Sequence, residues 1–142
     1  MTDPLPLSPR MSYGQMRMAL YQVAPDLHVA SARLPGKLDG VYCLSTNTET
    51  IYIADDLTPT QYRCVLAHEI SHAKHRDRGG HADRYTEQRA DIEAARMLIS
   101  QVEYQTAENI YDGDETLMAK EMNVMPWIIQ AYKQWLHDNV AA

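Results

Sequence analysis

The chain has no apolar run near the roughly 18 to 20 residues that a membrane-spanning helix needs, so an integral helical membrane protein is excluded. It also has no apolar stretch of the kind an export leader carries, because MTDPLPLSPR opens with an early Asp3 and three prolines. The expected setting is the cytoplasm. Cysteine is scarce: Cys43 and Cys64 are the only two and make no CxxC spacing. A disulfide scaffold is thereby excluded, and both are read as reduced, buried thiols. Positive charge is short as well, with 13 Lys and Arg against 19 Asp and Glu and a net charge of −6. Broad binding to nucleic acid or to an anionic membrane needs a basic face, so a protein or peptide partner fits better. Internal repeats and low-complexity segments are missing too.

What is present suits one domain spanning 1–142: 142 residues with 45% hydrophobic content can bury a real core. After a Pro-rich, flexible leader over 1–10, Tyr13, Met16, Leu20, Val23 and Ala24 recur at helical spacing until Pro25 stops them. Leu27, Val29 and Ser31 then alternate, PGKLDG turns the chain, and GVYCLST and TIYIA flank the polar NTET. These read as three antiparallel strands. Thr58-Pro59-Thr60-Gln61 combines a cap, a proline at the first helical position and a capping-box partner. The helix it starts buries Tyr62, Val65, Leu66, Ile70 and Ala73, and DRGGHADR ends it. A second helix is expected from about Thr86 to Ser100 with Ala90, Ala94, Met97 and Leu98 inward, and two shorter ones over 115–122 and 126–138. The fold class is therefore α+β, a small antiparallel sheet packed on a helical core.

The first long helix carries VLAHEISHAKH, residues 65–75. Positions i and i+4 are neighbours on one helix face, so His68 and His72 reach one metal ion. Glu69 falls on the adjacent flank, displaced from the two-histidine bite but near enough to take a proton from water. This is the logic of HExxH in a zinc hydrolase. The plain alternative is a polar helix face, and Val65, Leu66, Ile70 and Ala73 weigh against it by burying the same helix.

Such a site takes a third protein ligand. The extended motif would need glycine at 75 and a ligand at 78, where this chain has His75 and Arg78. The remaining pattern draws a glutamate from a second helix, with an acid four residues later that holds the first histidine. In EQRAD, Glu87 is the third ligand and Asp91 the acid that reaches the outer nitrogen of His68. Glu93 points off this face and reads as solvated. His75 is an accessory candidate or a polar helix end. His81, in a Gly-rich loop, is a lid residue or an alternative ligand. Tyr85 is a candidate oxyanion donor or an anchor of the helix start. His28 and His137 stand remote from the motif.

The succession GVYCLSTNTETIYIADDLTPTQYRCVLAHEISHAKH followed by EQRADIEAARMLI resembles the ImmA/IrrE family of bacterial and phage zinc metallopeptidases. The likeness covers roughly residues 40 to 100. It implies a thermolysin-like site with His68, His72 and Glu87 on zinc and Glu69 as base. It also implies a helix-turn-helix repressor as substrate, whose loss relieves repression of a phage, a mobile element or a stress regulon. Two positions depart from the family pattern: Arg89 stands where a second acid is frequent, and Asp91 replaces an asparagine. Glu93 also stands where a large apolar residue is usual.

From Asp112 onward, Ala119, Asn123 and Ile129 fit a helix-turn-helix-like subdomain over 112–142. Only Lys120 and Lys133 oppose five acids there, and a phosphate-binding helix is not acidic. No direct nucleic-acid binding is expected; Trp127, Ile128, Tyr132 and Trp135 are read as core or as a protein-docking face. The reading is thus a zinc endopeptidase. Its rivals are a non-catalytic antirepressor or toxin-antitoxin component with structural zinc, and a DNA-binding regulator with a vestigial motif.

Overall fold

The stretch ETIYIA supplies the middle strand of the sheet. In the computed structural model, residues 7–78 and 83–139 are described; His81 lies outside them, as do residues 1–6 of the leader. The strands β1 (Leu27–Ala32), β2 (Gly40–Leu44) and β3 (Glu49–Ala54) are ordered β1-β3-β2. β2 and β3 form an antiparallel hairpin, with the Ser45 N–H donating to the Thr48 carbonyl over 2.9 Å in the turn. β1 lies on the other edge of β3 and runs parallel to it, Val29 beside Ile51 and Ser31 beside Ile53.

The sheet is therefore mixed, which corrects the expected antiparallel sheet while keeping its three strands and the α+β class. Alternation identifies a strand and its buried face but says nothing of its neighbour's direction. What decides the order is burial: Ile51 and Ile53 of β3 are fully buried, and the most apolar strand takes the place paired on both edges. A second correction concerns the thiols. Cys64 is buried, but Cys43, on β2, is exposed.

Among the described residues six helices accompany the sheet: α1 (Tyr13–Val23), α2 (Pro59–His75), α3 (Arg84–Leu98), α4 (Gln101–Tyr111), α5 (Glu115–Met122) and α6 (Pro126–Asn139). α2 begins with the expected capping box, in which Thr58 and Gln61 each satisfy the other's backbone N–H. It packs against β2 and β3 on one side and α3 on the other. Leu66, Ala67 and Ile70 are fully buried there, and burying a large aliphatic side chain contributes about 1.5–3 kcal/mol. α3 packs in turn on α6, whose Ile128, Ile129 and Tyr132 are in the core. Each helix contact thus fixes the height and rotation of α2 and α3, the two elements that carry the site.

α3 starts at Arg84, earlier than expected, because Asp83 caps it by accepting the backbone N–H groups of Tyr85 and Thr86. It stops at Ile99, which is extended, and α4 follows under a Ser100 cap. Arg63 binds the remote segments together. It is 2% exposed and donates to the carbonyls of Pro9, Met11 and Asn123, joining the start of the described chain and the end of α5 to α2.

Candidate metal centre

The i,i+4 spacing on α2 brings the His68 and His72 rings edge to face, with centroids 4.8 Å apart. Their Nε2 atoms are 3.1 Å apart. Glu87, in the first turn of α3, closes the triangle: one carboxylate oxygen is 2.9 Å from His68 Nε2 and the other 3.1 Å from His72 Nε2. His72 is buried, and Glu87 and His68 are partly so.

The chemistry of these three groups is set by what lies behind them. His68 Nδ1 donates to Asp91 over 2.8 Å, and His72 Nδ1 donates to Asp77 over 2.8 Å. With both Nδ1 protons so used, a neutral ring presents an Nε2 lone pair. Two lone pairs and a carboxylate then converge, an arrangement that a cation relieves. Burial works against charge on His68, but the Asp91 hydrogen bond and the negative charges of Glu69, Asp91 and Glu87 outweigh it and raise its pKa above the ordinary value. The negative charges that favour a proton there also favour a metal cation. The dimensions also suit one: a tetrahedron with bonds of about 2.0–2.1 Å has edges of about 3.3–3.4 Å, close to the separations found. The donor set therefore fits a divalent ion.

Glu69 follows His68 on the chain and is 2% exposed. Its Oε2 lies 3.9 Å from His68 Nε2, beside the triangle and outside it. A cleft of about 230 Å³ opens here, lined by Leu38, Gly40, Val65, His68, Glu69 and Trp127 among others. Gly40 lets β2 come this close to α2, since a Cβ there would sit 2.6 Å from Val65 Cγ1 and 3.3 Å from Glu69 Oε2.

The remaining residues singled out in the sequence fall elsewhere. His75 bonds both carboxylate oxygens of Glu93, at 2.9 and 3.0 Å, and Ser71 donates to Glu93 over 2.6 Å. Glu93 is thus not solvated as expected; it clamps α2 to α3, because the crossing of the two helices turns its flank towards Ser71. Burial raises its pKa, but the Ser71 and His75 hydrogen bonds prevail and hold it below the usual carboxylate range. Tyr85 is 75% exposed at the start of α3.

Sequence reasoning missed Asp77 and Trp127. Asp77 reaches His72 because Arg76 adopts a left-handed conformation (φ 50°) that ends α2 and folds the chain back, the Asp77 N–H donating to the His72 carbonyl. An acid just past the motif is visible in the sequence, but that turn at a non-glycine residue is not. Trp127, from the first turn of α6, meets His68 edge to face at 6.0 Å, and nothing near position 127 signals this.

A sheet edge beside a helix that presents two histidines and a glutamate, with a carboxylate ligand from the next helix, defines a metallopeptidase-type centre. Residues 24–130 match the family described as the IrrE N-terminal-like domain, peptidase family M78, and the chain belongs to that family. A comparison with curated proteins gave no match. No helix among the described residues is long and apolar enough to cross a membrane.

Proposed function

We propose that the protein is a zinc-dependent endopeptidase that cuts a helix-turn-helix repressor in the cytoplasm and so relieves repression of a phage, a mobile element or a stress regulon. The observation that carries the catalytic part is the convergence of His68, His72 and Glu87 within 4.8 Å of one another, with Glu69 beside them at the end of an open cleft. In this reading His68, His72 and Glu87 hold the ion. Zinc would supply Lewis acidity, lowering the pKa of water and polarising a carbonyl. Glu69 takes a proton from the attacking water on a carboxylate oxygen. As the C–N bond breaks, Glu69 passes that proton to the leaving amine nitrogen. The cleft wall of Leu38, Gly40 and Trp127 receives the peptide beside these groups.

Two things support the choice of substrate. The likeness to ImmA/IrrE peptidases implies a repressor, and a chain of net charge −6 is electrostatically matched to a basic, DNA-binding partner. Direct contact with DNA or a membrane is not part of the proposal. The test is to mix the protein with repressors encoded beside its gene. Zinc-dependent fragments that disappear on chelation support the reading, and intact repressors throughout count against it.

A further inference from the structure

We infer that Asp77 and Arg89 form a positioning pair that orients His72, a counterpart on the second histidine of what Asp91 does for the first. This rests on the metal-site reading above and adds two residues to it. His72 is 3% exposed, and its Nδ1 donates to Asp77 Oδ2 over 2.8 Å. The same Oδ2 atom accepts from the Arg89 guanidinium. Neither contact is solvent-swept, because the Asp77 side chain is 17% exposed and that of Arg89 25%.

The topology gives the pair its meaning. Asp77 sits at the exit of α2, the helix of the two histidines, while Arg89 sits on α3 two residues beyond Glu87. Arg89 therefore links the helix that supplies the carboxylate ligand to the carboxylate that aims the second imidazole. Charge supports the same arrangement. Glu69, Glu87, Asp77 and Asp91 crowd four carboxylates around the two rings, and Arg89 offsets one of them. Its planar fork also holds the partner's direction, which a lysine's mobile ammonium does not.

The experiment measures zinc affinity by chelator competition in the full chain, with His72→Ala as reference, and the melting of each metal-free variant as a check on folding. Asp77→Ala should weaken zinc by roughly 10- to 100-fold, the usual loss when a carboxylate behind a metal-binding histidine is removed. Asp77→Asn, which keeps an acceptor oxygen and the shape, should lose less. Arg89→Met should weaken zinc by about tenfold or less, since it acts only through Asp77, and Arg89→Lys should recover part of that. The double variant Asp77→Ala/Arg89→Met should bind zinc no more weakly than Asp77→Ala alone. Because a merely structural role for Arg89 would add a second loss, multiplied losses in the double variant overturn the pair. Native affinity in Asp77→Ala, with His72→Ala impaired, overturns it while leaving the metal site standing. Zinc fully retained by His72→Ala removes the site and the pair with it.

Discussion

His68 Nε2 and His72 Nε2 face each other at 3.1 Å, while each ring's Nδ1 is turned to its own carboxylate, Asp91 and Asp77. Two imidazoles held this close with their proton-bearing nitrogens pointing apart form a bite for a cation, and Glu87 completes it.

Zinc content follows from ligand count. The protein should bind one zinc per chain, and His72→Ala or Glu87→Ala should lose most of it, because two protein ligands hold a divalent ion poorly. Asp91→Ala should weaken affinity by roughly 10- to 100-fold. Metal analysis and chelator competition check this. Full zinc content in Glu87→Ala, with loss in Glu93→Ala or His81→Ala, would show that Glu87 is not the third ligand.

Gly40 carries a separate expectation. A methyl group there meets Val65 at 2.6 Å and the Glu69 side chain at 3.2 Å, and overfilling a packed site typically costs about 1–3 kcal/mol. Gly40→Ala should therefore lower the unfolding midpoint and, by displacing Glu69, reduce turnover of a cleaved substrate more than zinc content. Wild-type stability and turnover in that variant would show that β2 and α2 separate freely.

The two thiols should differ in reactivity and in pH response. Burial raises the Cys64 pKa from 9.0 to about 11, against smaller opposing effects of a Met125 N–H hydrogen bond and of Arg63, while Cys43 is exposed. At neutral pH an alkylating reagent should modify Cys43 quickly and Cys64 only as the chain unfolds. An unfolded Cys64 ionises near 9 and the folded one near 11, so across that window the unfolded state binds fewer protons. The Cys64 contribution to stability is thus whole below pH 9 and is lost as pH rises towards 11. Urea midpoints from pH 8 to 11 should fall less steeply in Cys64→Ala than in wild type; equal slopes would refute the assignment.

Much of this was legible in the sequence because helical chemistry is local. Thr58, Pro59 and Gln61 mark the start of α2, and i,i+4 spacing puts His68 with His72 and Glu87 with Asp91 without reference to the rest of the chain. What was not legible depends on how distant elements meet. The parallel pairing of β1 with β3, the turn of Glu93 towards Ser71 and the approach of Trp127 to His68 are set by packing, and no spacing along the chain encodes them. α4 is a different case: Ser100 and Glu103 form a cap pattern that the continuing apolar run of α3 obscures.

The C-terminal segment, despite its helix-turn-helix-like pattern, should bind no DNA. Its Ile128, Ile129 and Tyr132 are committed to the core, and five acids outnumber its two lysines. Duplex binding measured from low to physiological salt should stay at background. A salt-sensitive complex that Lys133→Ala abolishes would contradict this.

Glu69→Gln separates a peptidase from a protein that acts by binding alone. The amide keeps the shape of the carboxylate and leaves His68, His72 and Glu87 in place as the zinc ligands, but it cannot accept a proton from water. The variant should carry wild-type zinc, bind the repressor and leave it intact, under conditions where the wild-type protein cuts it and a chelator stops the cutting. Equal derepression in cells by wild type and Glu69→Gln, with no repressor fragment from either, would contradict the account and identify a protein that acts by binding alone.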